Sequence, residues 1–271
     1  MAKQYLAGER FELQEPLGKG AMGAVYRAYD RERNQLVALK SLLTPDAASI
    51  YRFKREFRAL ANVAHPNLIA LYDLVSSGDD WFFTMELVNG VDFLSYVRPN
   101  DPRRPGNIVS RTREFGPTGA WGNETVPSGG TGGAPQASTL VTDVAADALF
   151  EAAEGLDRDA ASLEFVDRER LDASLLLLAE AIVALHQTGH LHRDIKPSNV
   201  MITPEGRVVV LDFGIITELA GAARLADDEV AGTPSFMAPE LFENVDSSEA
   251  SDWYAFGVIL YQALTGHRPF K

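Results

Sequence analysis

The sequence predicts an α+β chain, a β-rich N-terminal part with one main helix followed by a mostly helical C-terminal part, in one large domain or two small lobes. Three observations carry this. Up to residue 88, short β-prone runs alternate with Gly-containing and polar turns around a single helical stripe. From residue 161 to 271, apolar residues recur at helical spacing, with one short hairpin among them. Residues 99–160 then lose sustained periodicity and fill with Gly and Pro.

Composition narrows the classes of function. The 271 residues are 46% hydrophobic, enough for a sizeable core. A net charge of −13 and a pI of about 4.8 argue against a nucleic-acid-binding surface. With no cysteine there is neither a disulfide framework nor thiol chemistry, which fits a reducing cytoplasm. Residues 1–15 contain no apolar run of the signal-peptide kind. The longest apolar stretches, 175–178 and 258–264, are too short to span a bilayer.

In chain order, residues 11–17 alternate weakly and lead into Gly18-Lys19-Gly20-Ala21-Met22-Gly23. Alone, Gly-x-Gly-x-x-Gly is shared by dinucleotide sites and ordinary turns. A dinucleotide site needs a helix opening at the third glycine. Here residues 25–29 are β-prone, 30–35 form a polar turn and 36–40 read as another strand, so the glycines join strands. Thr44-Pro45-Asp46 reads as a helix start. Phe53, Phe57 and Leu60 then make one apolar stripe, with Glu56 beside it and Arg52, Lys54, Arg55 and Arg58 on a solvated face. His65-Pro66-Asn67 stops the helix, and residues 68–75 and 81–87 read as two further strands. The stretch 99–160, with Gly116-Pro117-Thr118-Gly119 and the run 128–133, reads as a disordered insertion in which 144–156 could form a short helix. Loop closure rises by only about 0.6 kcal/mol per doubling of length, so such an insertion need not unfold its host. Leu171, Leu175, Leu178, Ile182 and Leu185 mark a buried helix ended by Gly189.

The most informative stretch follows: His192-Arg193-Asp194-Ile195-Lys196-Pro197-Ser198-Asn199, and later Asp212-Phe213-Gly214. Residues 200–203 and 207–211 around Pro204-Glu205-Gly206 read as a hairpin. Such a hairpin would bring Asp194, Asn199 and Asp212 together, where they suit one divalent metal and one hydroxyl. His186, His190 and His192 do not make a metal cluster, because no cysteine or carboxylate pattern completes one. Further on come Gly232-Thr233-Pro234, Ala238-Pro239-Glu240 and an apolar helix opened by Asp252-Trp253 and ending near Thr265-Gly266.

These motifs resemble those of protein kinases over residues 11–98 and 167–271, and the resemblance implies a two-lobed fold, with a small β-rich lobe over 1–88, the hinge exit and first helix of the larger lobe over 89–98, and the rest of that mostly helical lobe over 161–271. The resemblance implies ATP and Mg²⁺. Asp194 is then the base that orients the acceptor hydroxyl, Lys196 sits over the γ-phosphate, and Asn199 and Asp212 are the metal ligands. Lys40 holds the α- and β-phosphates and pairs with Glu56. Leu17, Gly18, Lys19, Gly20 and Gly23 cover the nucleotide. Val25, Ala38 and Met201 surround adenine, Met85 is the gatekeeper, the backbone from Glu86 to Val88 binds adenine, and Asp92 reaches the ribose. Leu60, Leu71, His192 and Phe213 form a second stack joining the lobes. Lys196 and Gly232-Thr233-Pro234 resemble serine/threonine rather than tyrosine kinases, and Phe53-Lys54-Arg55-Glu56 with His65-Pro66-Asn67 resembles the bacterial branch. The implied partner is a protein with Ser or Thr acceptors. Nucleic acid and membrane are not expected partners of this segment.

Two other readings compete. A pseudokinase usually lacks a Lys, Asp or Asn that is present here, and a small-molecule kinase lacks the segments Gly232-Thr233-Pro234 and Ala238-Pro239-Glu240 that dock a polypeptide. The family's larger lobe normally continues beyond the helix that Trp253 opens, so the resemblance implies a truncated lobe and further domains beyond Lys271. In many such kinases Arg193 would hold a phosphorylated residue four positions before Thr233. That position is Glu229, which implies a built-in acid in place of a phosphate.

Overall fold

The computed structural model describes residues 4–6, 9–20, 23–42, 47–77, 80–103, 162–212, 234–243 and 245–270, with all their side chains except those of residues 4, 5, 19, 20, 42, 47–49, 52, 53, 56, 80 and 234. The expected insertion beyond residue 103, Phe213-Gly214, Glu229 and Gly232-Thr233 lie outside the described residues.

The N-terminal lobe is an antiparallel sheet in the order β1-β2-β3-β4-β6-β5 with one helix. Its strands are β1 (Gln4–Leu6), β2 (Phe11–Gly20), β3 (Gly23–Asp30), β4 (Gln35–Leu42), β5 (Leu71–Ser77) and β6 (Asp80–Glu86), and α1 covers Ala47–Ala61. Period two sorts β4 between two clusters. Val37 and Leu39 pack with Phe11, Ala28 and Phe82, while Ala38, on the other phase with Lys40, joins Leu17 and Met85. The stripe on α1 buries Phe57 and Leu60, and Phe57 meets Phe83 with ring centroids 5.9 Å apart. Each such side chain contributes roughly 1.5–3 kcal/mol of burial. Lys54, expected on the solvated face, lies 4.1 Å over the Trp81 ring, where its stem covers apolar surface.

The glycine segment differs from its expected form. Gly18 and Gly20 are strand residues of β2, and Gly20 pairs with Gly23 of β3. A register shift at Pro16, which has no N–H for the ladder, bends the strand before them. β1 was not expected, since three residues are too few to show alternation.

In the C-terminal lobe β7 (Val91–Asp92), β8 (Val200–Ile202) and β9 (Val208–Val210) form a three-stranded sheet, whose β8 and β9 follow the stretch 192–199. The helices are α2 (Phe93–Val97), α3 (Arg168–Gln187) and α4 (Glu249–Thr265). Asp167 caps α3, whose Leu171, Leu178, Ile182 and Leu185 are buried as their spacing predicts. A capping box of Ser248 and Ser251 opens α4, and Gly266 in the left-handed region closes it. The lobes meet where the chain after α1 lies along β9. Val210 N donates to Asn67 O (2.9 Å), Ile69 N to Val210 O (3.0 Å) and Asn67 Nδ2 to Val208 O (2.8 Å). The two-lobed α+β architecture read from the sequence is thus observed.

Asp101 and Arg103, which composition placed in the insertion, are bound into this lobe. The buried Arg98 guanidinium donates to Asp101 (2.8 Å), to the Ala263 and Leu264 carbonyls that end α4 (2.6 and 3.1 Å) and to Ser162 (2.8 Å). Arg103 reaches Asp101 (2.9 Å) and Ser162 (2.9 Å). Burial alone would raise the Asp101 carboxyl, but the hydrogen bonds from Arg103 and Arg98 outweigh it and hold it well below the usual carboxylate range. Residues on either side of the undescribed stretch 104–161 therefore share one hydrogen-bonded cluster at the end of α4, with ion pairs of Asp101 to Arg98 and Arg103 and hydrogen bonds to Ser162.

Candidate active site

The catalytic stretch leaves α3, and its shape comes from hydrogen bonds rather than from regular structure. Asp252, 1% exposed in the first turn of α4, accepts from His192 N (2.8 Å), Arg193 N (2.8 Å) and His186 Nε2 (2.9 Å). Arg193 takes φ +64°, a left-handed conformation uncommon for a side chain of its size. The buried His192 ring accepts from Asp194 N at Nδ1 (3.2 Å) and donates from Nε2 to Leu211 O (2.8 Å), which fixes its tautomer. Asp194 is thereby aimed out of the loop.

On the Asp194 carboxylate, Oδ2 accepts from Lys196 Nζ (2.7 Å) and Asn199 Nδ2 (2.9 Å), and the same amide nitrogen donates to Asp194 O (2.8 Å). Pro197 opens the short 3₁₀ turn, residues 197–199, that turns Asn199 back onto Asp194. Leu211 N donates to Asn199 O (2.8 Å), which ties the start of β8 to the end of β9 and brings Asp212 beside the stretch. The hairpin expected between Asn199 and Asp212 is present.

From the other lobe, Lys40 Nζ lies 2.5 Å from Asp212 Oδ1, and Lys40 is 6% exposed. Asp212 has φ +48°. Glu56, the expected partner of Lys40, is on α1, and its side chain is outside the described set. Near Lys40, Gly23 has φ +129°, and a Cβ there would stand 2.0 Å from Ser41 O, so the turn can close on β4 only with glycine. The Ser41 hydroxyl accepts from Ala24 N (3.0 Å) and donates to Ala24 O (3.1 Å), fixing that approach.

The expected adenine-side residues gather at the crossing between lobes. Leu17, Ala38 and Met85 are buried in one cluster, with Val25 and Val88 partly buried against it. Ala38 and Leu71 are the register partners of Met85. Met201 is half-buried and pairs with Asp92. Gly18 is half-buried, and Lys19 pairs with Ala24. Asp92 caps α2, accepting from Ser95 N (3.1 Å) and Ser95 Oγ (2.5 Å). Glu86 N donates to Ala70 O (2.8 Å), and its carboxylate is gripped by Arg207. In the stack Leu60, Leu71, His192 and Phe213, the first three are buried and the fourth is undescribed. On the far side of Asp194 a cavity is lined by Phe236, Met237 and Leu241.

Sequence reasoning missed Asp252, His186 and Arg207. Asp252 had one visible signal, an acid in the first turn of an apolar helix, but the helix dipole explains that equally well. Among the described residues no helix is long and apolar enough to cross a membrane.

Comparison with known proteins agrees with this geometry. The family model for protein tyrosine and serine/threonine kinases matches residues 11–271. Serine/threonine-protein kinase PkaA of Streptomyces coelicolor is 30% identical over 97% of this chain and 40% of its own length. PrkC of Bacillus subtilis is 26% identical over 96% of the chain and 31% of its length, and PknA of Mycobacterium tuberculosis 29% over 96% and 48%. The chain thus spans less than half the length of these curated relatives. The crystal structure of the M. tuberculosis PknI kinase domain superposes with a TM-score of 0.60 at 22% identity, over all of this chain and 78% of that one, a likeness of fold. With the family model matching residues 11–271, the chain belongs to the protein kinase family.

Proposed function

We propose that this chain is the catalytic domain of a cytoplasmic serine/threonine protein kinase that moves the γ-phosphate of ATP to Ser or Thr hydroxyls of a protein, in bacterial signalling. One observation carries the reading most directly. Asp194, fixed by Lys196 and Asn199, lies in the same loop cluster as Asp212, whose carboxylate meets Lys40 from the other lobe.

The residues suit the ligands this reading needs. Asn199 and Asp212 offer hard oxygen donors, and among the described residues no group of three or more His, Cys, Asp or Glu makes a self-sufficient metal site. That agrees with Mg²⁺, which takes one or two protein oxygens and completes its shell with phosphates and water. Bound Mg²⁺ would neutralise charge on the phosphates, held by Asn199 and Asp212. Asp194 orients the acceptor hydroxyl and takes its proton on the carboxylate. Lys196, 2.7 Å from that carboxylate, places a positive charge beside the group in transfer. Lys40 holds phosphate oxygens from the N-terminal lobe, and the turn closed by Gly23 lets the backbone lie over them.

The test is labelled ATP with Mg²⁺ and a generic basic protein, beside a separate measurement of nucleotide binding. Asp194→Asn should lose transfer by about 10²–10⁴-fold and still bind nucleotide. Transfer by Asp194→Asn at the wild-type rate would remove the base assignment. Nucleotide binding without transfer in the wild type would favour a regulatory pseudokinase instead.

A further inference from the structure

The passage between the lobes is residues 87–90, and both of its ends rest on the hairpin β8–β9. The far end is held by main chain. Val91 pairs with Ile202, and Gly90 lies so close that a Cβ there would stand 2.4 Å from Ile202 O. The near end is held by side chains. Glu86, the last residue of β6, receives a two-pronged bond from Arg207 in the hairpin turn: Nη1 donates to Oε1, and Nη2 to Oε2 at 3.0 Å. Arg207 Nε donates in turn to Pro66 O (2.7 Å), in the connection from α1 to β5. One guanidinium thus joins three segments far apart in sequence, the hairpin of one lobe and two segments of the other. Arg207 is more than a third exposed, so neither apolar packing nor deep burial explains its place.

We propose that Arg207 is a positioning residue for the kinase reaction: through Glu86 and Pro66 it sets the angle at which β6 enters the interlobe passage, and hence the fit of the nucleotide between the lobes. The inference rests on the nucleotide-binding reading above. A planar fork suits this task because two parallel bonds fix direction as well as distance, which an ammonium does not. Freeing the near end leaves the far end held by the β7–β8 pairing. The lobes then stay joined but sample more relative orientations, and only part of the population binds nucleotide well. Asp194, Lys196 and Asn199 take their geometry from Asp252 and from each other, so the chemical step is untouched.

The experiment compares wild type, Arg207→Ala, Arg207→Lys, Glu86→Arg, Arg207→Glu and the double exchange Glu86→Arg/Arg207→Glu. Each is assayed for Kd of a fluorescent ATP analogue, for KM and kcat, and for Tm. Single variants should raise Kd and KM for ATP together by about 3- to 10-fold, with kcat changed by less than about 2-fold. Arg207→Lys should recover only part of the loss, and the double exchange most of it. A purely structural pair would lower Tm without this split between KM and kcat. Single variants that bind nucleotide as the wild type does, or a double exchange whose loss equals the sum of its parts, would overturn the proposal. If Arg207→Ala does not fold, the same comparison is made with Arg207→Lys and the double exchange. A wild type that binds no nucleotide refutes the function itself, and is told apart because no variant is then needed to see it.

Discussion

Replacing Asp252 by Asn changes one buried oxygen into an NH₂ group and leaves the shape of the side chain alone. In the native protein Oδ2 serves His192 N and His186 Nε2, and Oδ1 serves Arg193 N. An asparagine can keep its oxygen on the first pair, but its NH₂ then faces the Arg193 N–H, donor against donor. One hydrogen bond to a charged group, about 1.5–3 kcal/mol, is lost, and an unmet buried donor adds about 1–3 kcal/mol. The sum, roughly 2.5–6 kcal/mol, should lower Tm by roughly 5–24 °C in a domain of this size. The effect on activity follows from Arg193, whose φ of +64° is held by that same bond. A non-glycine residue in this region stores about 1–3 kcal/mol of strain. Once released it relaxes, and Asp194, the next residue, moves with it. A displacement of about 1 Å at a reacting group can lower the rate by about 100-fold. The assay is kcat, KM and nucleotide Kd at a temperature where both proteins are folded. Expected are a kcat reduced by about two orders of magnitude and a Kd within about 3-fold. A folded Asp252→Asn protein with wild-type kcat would refute the chain of reasoning from α4 to Asp194.

Two further outcomes follow from local geometry. Gly23→Ala must move Ser41 O or open the turn, since the added Cβ would stand 2.0 Å from it. Stability should fall by about 1–3 kcal/mol with weaker nucleotide binding, and an unchanged Tm and Kd would contradict the close approach. Asp101, whose carboxyl is depressed by Arg103 and Arg98 against its burial, stabilises the fold above the ordinary carboxylate pKa, about 3.9, and loses that contribution as pH falls below it. Asp101→Asn should therefore be less stable than the wild type at neutral pH and approach it in acid, and a gap in Tm that stays constant from neutral pH into acid would disprove this.

What could be read from the sequence depended on sequence distance. Asp194, Lys196 and Asn199 lie within one turn of chain, so their spacing alone implied that they act together, and the Asn199–Asp194 bonds agree. The hairpin before Asp212 was legible because β-branched runs flank Pro204-Glu205-Gly206. The helices α3 and α4 were legible from their apolar periods, including the stop at Gly266. The partners that give these residues their shape were not. Asp252 acts 60 residues from His192, Glu86 meets Arg207 across 121 positions, and Arg98 meets Ala263 across 165. A single sequence carries no record of such pairings, and each residue has a bland local explanation as a first-turn acid, a strand-end acid or a polar turn. The boundary drawn at residue 99 shows the same limit. Pro and Asn around Asp101 look like loop composition, but Asp101 holds the Arg98 guanidinium that bonds the carbonyls ending α4, and Arg103 bonds Ser162 beyond the insertion.

Backbone strain adds a second reason why motif and scaffold differ in legibility. Arg193 and Asp212 both have positive φ without being glycine, and both lie at the site. Local preference disfavours each, so neither conformation can be inferred from its own residue type. Each persists because a distant, nearly buried group answers it: Asp252 accepts from the Arg193 backbone, and Lys40 meets the Asp212 carboxylate from the opposite lobe. The two differ in permanence. Asp252 lies on a helix capped at both ends and makes its bonds within one lobe, so it holds Arg193 whether or not a nucleotide is bound. Lys40 belongs to the other lobe, and on the proposed function its bond to Asp212 would compete with phosphate and metal for both partners. On that reading, Arg193 is the fixed point of the two strained positions and Asp212 the one that would rearrange when substrate enters.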